Sequence, residues 1–188
     1  MAKTTKITKE KILETAFEIA KEKGLEGVSN REIAKRMNSS IRPIYYQFKN
    51  VFELNKELYK TILKYFYNFL INHAIPNMPK YKQVGINYIK FAKEENQLFK
   101  ILFMTNINML PDDFIMNDYE DFQEIIKIVK NSTNLVDDDS KSLHMKMWIF
   151  THGIATLVAT KTINFSDQEI EDLLTKEFQA LMSLAKNS

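Results

Sequence analysis

The sequence contains no cysteine. Disulfides, thiolate metal sites and thiol nucleophiles are therefore excluded at the outset. Glycine and proline number four each in 188 residues, few for a fold made of tight hairpin turns. No sustained alternation of apolar and polar residues marks a strand. No apolar run approaches the roughly 18 residues that would mark a membrane span, so no membrane partner is expected. The opening MAKTTKITKEK is basic but lacks the apolar stretch of a signal peptide, and a cytoplasmic location is expected. The three histidines, His73, His144 and His152, form neither HExxH nor a ligand pair at i, i+4, so no metal is expected. A glycine-rich phosphate loop and a nucleophile elbow are also missing, and nothing pairs the carboxylates for acid–base work. No cofactor is expected, and an enzyme is the weaker reading on every count.

What is present suits a globular, all-α chain: 45% hydrophobic and 27% charged residues, with helical spacing of apolar positions along most of its length. The net charge of +2 hides an uneven distribution. Residues 1–60 hold 13 Lys and Arg against 8 Asp and Glu, whereas residues 61–188 hold 13 against 16. The positive excess is concentrated in the first third, as a footprint for nucleic acid is.

That third contains SNREIAKRMNSSIRPIYYQFKNVFEL, residues 29–54, which reads as two short helices around a polar turn. Ser29 and Glu32 have the spacing of a capping box. Ile33, Ala34 and Met37 make one apolar stripe, with Arg31, Lys35 and Arg36 facing outward. Asn38, Ser39 and Ser40 interrupt the pattern, since such side chains compete with the helix for backbone groups. A second helix is expected from about Ser40 to Phe48, with Pro43 in its first turn. Its outward face gathers Arg42, Tyr45, Tyr46 and Gln47 beside Ser40 and ahead of Lys49. A guanidinium, two phenols and an amide match phosphate and groove-edge contacts. Taken singly, each residue also fits a solvated face with aromatics tucked into a core; as a set on a helix-turn-helix they point to double-stranded DNA.

NREIAKRM, the polar turn and IRPIYYQFKN, with ILETAFEIAKEKGLEGVS upstream, resemble the DNA-binding domain of TetR-type (TetR/AcrR) transcriptional regulators. The resemblance covers roughly residues 6–66. It implies that Asn30 and Arg31 reach phosphates, that Ile41, Arg42 and Pro43 face bases, and that Tyr45, Tyr46 and Gln47 grip the backbone. Four positions depart from the family pattern. Asn38 replaces a glycine in the turn, Arg42 and Pro43 stand where small residues are common, and Val51 replaces a phosphate-binding lysine for which Lys49 is the substitute.

The remaining elements follow in order. Residues 1–7 read as a basic arm. Thr8 caps a helix to Lys23 with Ile12, Leu13, Ala16, Phe17 and Ala20 on one face, and Gly24 ends it. Phe17, Leu25, Val28, Ile33, Met37, Ile44 and Phe48 form the expected core of a DNA-binding domain over residues 1–50. A long helix from about Val51 to Ala74 leads into residues 51–188, expected to be a helical ligand-binding and dimerisation domain. Further helices are expected at 80–94, 96–109, 118–131, 139–162 and 167–185, with Pro111 in a loop and residues 136–140 read as a solvated loop before a cap.

Aromatic and methionine residues are frequent in the second part. Tyr65, Phe69, Phe91, Phe103, Met104, Trp148 and His152 are candidates to line a pocket between helices, with ordinary core as the alternative. The resemblance implies a small-molecule effector there, and an apolar or aromatic compound is expected. Trp148 and His152-Gly153 resemble a Trp/His-Gly signature in one branch of the family; the imidazole either bonds a ligand or satisfies a core carbonyl. Residues 147–158 are apolar all round, which requires cover on more than one side. Gly153, Leu157, Leu174, Phe178 and Leu181 are candidates for a four-helix interface across a two-fold axis, against a monomeric core. The resemblance likewise implies a homodimer on a palindromic operator. Sequence reading therefore gives a dimeric DNA-binding regulator, a ligand-released repressor. The alternatives are a helical small-molecule-binding protein whose head domain takes a protein partner, and a helical hydrolase.

Overall fold

The computed structural model describes residues 7–105 and 120–186. Among these the expected all-α class holds: nine α-helices, one 3-10 turn at Leu25–Gly27, and no strand. Residues 1–6 of the basic arm, Met109 and Pro111, the end of the helix expected over 96–109 and the start of that expected over 118–131 lie outside the described residues. The described helices are α1 (Lys9–Lys23), α2 (Asn30–Arg36), α3 (Arg42–Gln47), α4 (Val51–Asn72), α5 (Lys80–Glu94), α6 (Asn96–Phe103), α7 (Glu120–Thr133), α8 (Asp137–Ala159) and α9 (Asp167–Lys186). None is long and apolar enough to cross a membrane.

The chain divides into two compact units, residues 7–65 with 96–105 and residues 66–95 with 120–186. In the first, the Thr8 hydroxyl accepts the Lys11 amide at 3.3 Å and opens α1. Gly24 closes it at φ 73°, a region that glycine enters without steric cost. A side chain there would also strike the Gln97 amide, 2.9 Å from the position of a Cβ. The buried face of α1 is Ile12, Ala16, Ile19 and Ala20, while Leu13 and Phe17 are only half-buried. Ile33, Ala34, Ile44 and Phe48 from the helix-turn-helix, Leu54, Leu58 and Ile62 from α4, and Leu98, Phe99 and Leu102 from α6 are also buried. Leu25 and Met37, expected in that core, sit half-buried at its margin.

In the second unit the aromatic residues pack mainly against one another. Phe66 meets Tyr88 and Phe91 edge-on at 5.2 and 5.0 Å, and Phe69 meets Phe91 at 5.3 Å. Such pairs contribute about 0.5–1.5 kcal/mol each beyond their buried area. Two buried polar side chains close the end of α4. Asn87 donates to the carbonyls of Leu70 and His73 at 3.0 and 2.8 Å, and Gln83 donates to Met78 while accepting from Ile75. The acidic run before α8 is its first turn rather than a loop: Asp137, Asp138 and Asp139 lie at the positive end of the helix dipole. Lys130 pairs with Asp137 at 2.5 Å and holds that carboxyl below its usual range. Ser166 and Glu169 form the complete capping box of α9, each bonding the other's amide.

Candidate nucleic-acid interface and effector cavity

α2 begins at Ser29, whose hydroxyl accepts the Glu32 amide at 3.2 Å. The reciprocal half of the expected box is missing because the Glu32 carboxylate turns to Lys23 at 2.9 Å and Arg36 at 3.4 Å. Arg36, expected to face outward, instead makes two bonds to Glu22 of α1, at 2.7 and 2.5 Å. These hydrogen bonds hold the Glu22 and Glu32 carboxyls below their ordinary range and raise the guanidinium. Two of the head's cations are thereby committed to joining α1 and α2.

The turn then uses Asn38 at φ 49°, so asparagine does hold the left-handed position that glycine fills more often. α3 is two residues shorter at its start than expected. Ile41 precedes it with helical dihedrals, and its carbonyl accepts the Ile44 amide at 3.1 Å. Ser40 is exposed and makes no side-chain cap. Ile44 and Phe48 anchor α3 from below, and the Lys9 ammonium lies 5.4 Å from the Phe48 ring centroid. The opposite face is bare: Ile41, Tyr45 and Tyr46 are 40%, 57% and 85% exposed. Arg31, Lys35, Arg42 and Lys49 are exposed around it, and among the described residues their side chains enter no ion pair. Asn30, Pro43 and Gln47 are half-buried on its edges. Exposed cations on α2, on α3 and just after it, with two phenols, thus accompany a short helix anchored by Ile44 and Phe48, an arrangement able to meet a polyanion.

The second unit contains a cavity of about 420 Å³ with walls from α5, α7, α8 and α9. Its polar groups are mostly paired within the protein. Tyr81 OH lies 3.1 Å from His144 Nδ1, and Tyr88 OH lies 2.8 Å from His152 Nδ1. Lys82 pairs with Glu171 at 2.6 Å. Burial lowers the His144 imidazole to about 4 and raises the Tyr81 phenol, so both are neutral near pH 7. The Trp148 indole stacks on His152 with centroids 5.3 Å apart.

Residues 12–57 match the family model for bacterial regulatory proteins of the tetR family. The whole chain is similar in fold to solved structures. A TetR family protein from Vibrio parahaemolyticus is 18% identical with a TM-score of 0.66, over 92% of this chain and 97% of that one. A transcriptional regulator from Rhodococcus sp. Rha1 is 15% identical with a TM-score of 0.65, over 94% and 97%. A single-residue variant of TetR from Acinetobacter baumannii, solved in complex with minocycline, is 14% identical with a TM-score of 0.54, over 97% and 96%. No curated protein matches the sequence. Residues 12–57 thus match the tetR-family model, and the chain as a whole shares the fold of these solved structures.

The residues singled out from the sequence fall unevenly. Ser40, Ile41, Arg42, Tyr45, Tyr46 and Lys49 are exposed around α3, with Arg31 on α2. Of the expected pocket set, Trp148 alone lines the cavity. Phe69 and Phe91 belong to the aromatic core, and His152 Nδ1 bonds the Tyr88 hydroxyl. Tyr65 packs edge-on against Phe17 in the first unit, as Phe103 does at a tilt against Phe99. Met104 is 39% exposed. Of the expected dimer set, Gly153 is exposed and Leu157 and Leu181 are half-buried. Leu174, 3% exposed, is enclosed within its own unit and lines the cavity together with Phe178. Sequence reading missed Tyr81, His144 and Thr151. Their only advance signal was the heptad spacing of Tyr81 and Tyr88 against the eight-residue spacing of His144 and His152.

Proposed function

We propose that the chain is a DNA-binding transcriptional regulator: a homodimeric, cytoplasmic repressor released from a palindromic operator by a small effector. The observation that carries this reading is the exposed face of α3, with Arg42, Tyr45 and Tyr46 outward and further exposed cations at Arg31, Lys35 and Lys49 on the neighbouring segments. Residues 1–50 act as the DNA-binding head in this reading. Ile41, Arg42 and Pro43 face bases in the major groove, while Ser40, Tyr45, Tyr46, Gln47 and Lys49 hold the backbone, with Asn30 and Arg31 at the edge. Residues 51–188 take the effector and join two copies, whose two-fold symmetry matches two half-sites. The similar Acinetobacter protein, solved with minocycline, supports a small molecule as effector.

Release is a shift of population. An effector that binds better to the conformation unable to span both half-sites weakens operator binding in proportion to its differential affinity, and by no more. Selection of bound fragments from a random-sequence DNA pool tests the reading. Enrichment of a palindrome whose binding weakens steeply with salt is expected. A pool with no enriched sequence, or salt-insensitive binding, would overturn it.

A further inference from the structure

We propose that the cavity takes a neutral, predominantly apolar compound carrying a hydrogen-bonding oxygen, with that oxygen bound by Thr151. This rests on the reading of the second unit as the effector domain and names the chemistry it accepts. Among the described residues the cavity offers no free charge. Lys82 is neutralised by Glu171 at 2.6 Å, and the His144 ring is paired with the Tyr81 hydroxyl at 3.1 Å. A charged ligand entering it would lose its water and gain no counter-charge.

One wall retains unused hydrogen-bonding capacity. Thr151 is 4% exposed and lines the cavity, and among the described residues its hydroxyl has no hydrogen-bond partner, unlike Thr133, Thr160 and Thr175, whose hydroxyls bond their own helix. Buried polar groups are normally satisfied, and those that are not call for a partner. A hydroxyl donates or accepts, so a ligand oxygen in the cavity is a partner for Thr151. Around it Val84, Met147, Leu174 and Phe178 provide apolar walls. The volume of about 420 Å³ suits a compound of two or three rings.

Three probes of one skeleton separate the possibilities: benzophenone with a carbonyl, diphenylmethane with none, and 4-benzoylbenzoate with an added carboxylate. Binding to the full-length protein is measured by calorimetry and by emission of Trp148, the single tryptophan of the chain. Benzophenone is expected to bind about tenfold more tightly than diphenylmethane, the effect of one satisfied buried hydrogen bond. The carboxylate is expected to bind more weakly than the ketone. Thr151→Val, which preserves shape, should reduce the preference for the ketone, and Thr151→Ser should retain it. Equal affinities for ketone and hydrocarbon, tightest binding of the carboxylate, an unchanged preference in Thr151→Val, or binding of none of the three would each overturn the proposal. The operator-release reading is scored separately, by adding the bound ketone to the protein–DNA complex. Binding without release sinks ketone-induced release and leaves the ligand chemistry standing, and release by the carboxylate alone does the reverse.

Discussion

Arg42 and Arg36 are both arginines of the helix-turn-helix, six residues apart, and their surroundings give them different work. Arg36 is bonded twice to Glu22, whereas Arg42 stands exposed and unpaired at the start of α3. Arg42→Ala is therefore expected to leave stability nearly unchanged. Operator affinity should fall by about 1–3 kcal/mol, with discrimination relaxed at one position per half-site. Equal weakening on all sequences would identify a phosphate contact instead. His144 makes a second prediction at this scale. Its folded pKa is lowered from 6.5 to about 4 because burial disfavours the imidazolium. The unfolded chain therefore binds the extra proton between these values. Stability from this group is complete above about pH 6.5, falls as pH drops through the window and levels off below about 4. The loss amounts to roughly 3 kcal/mol at most. Urea unfolding at pH 7 and pH 5 should show the decrease, and His144→Gln should reduce it; an unchanged difference would place the pH response elsewhere.

At the scale of the element, the start of α4 is the departure that matters. Asn50 accepts the Glu53 amide at 2.9 Å, and the Glu53 carboxylate accepts the Lys49 amide at 2.7 Å. The amides of Val51 and Phe52 remain in a first turn that has no partners within the helix. Val51 is 46% exposed, so it does not pack beneath the helix and a longer side chain fits there. Val51→Lys is expected to change stability by less than about 0.5 kcal/mol. It should tighten binding to specific and random DNA alike and steepen the log K against log salt slope by roughly one, with little change in specificity. Lys49→Ala should flatten the slope if Lys49 supplies the contact that Val51 lacks. If neither slope moves, this end of α4 does not meet the phosphate backbone.

For the whole molecule the question is association. α8 and α9 leave Met145, Ile149 and Leu184 exposed at 52%, 60% and 63%. Gly153 lies four residues beyond Ile149, and a Cβ added there would meet nothing within 4 Å. A side chain at Gly153 thus starts in open space among the described residues, and a leucine there would project toward a second chain packed on this face. Gly153→Leu is expected to give a folded monomer with much weaker operator binding, read by sedimentation velocity and far-UV circular dichroism. A monomeric wild-type protein at micromolar concentration would remove the basis for dimeric recognition.

Periodicity, caps and breakers by themselves determined the all-α class, the helix-turn-helix and the length of most helices. These signals are local: Thr8, Gly24, Ser29, Asn38 and the Ser166–Glu169 pair each act within four residues, so one chain segment suffices to specify them. The exposed set on α3 was legible for the same reason, because a short helix with an apolar back of Ile44 and Phe48 must turn Arg42, Tyr45 and Tyr46 outward. Only the tertiary structure decided which cations were free, since Arg36 is taken by Glu22, 14 residues away. It alone placed α6 with the first unit against α1, and it alone located the cavity. An aromatic stripe has the same spacing whether it fills a core or lines a space. Phe66, Phe69 and Phe91 close on one another, whereas the cavity opens beside Tyr81, Trp148 and Thr151, from helices more than 60 residues apart in the chain.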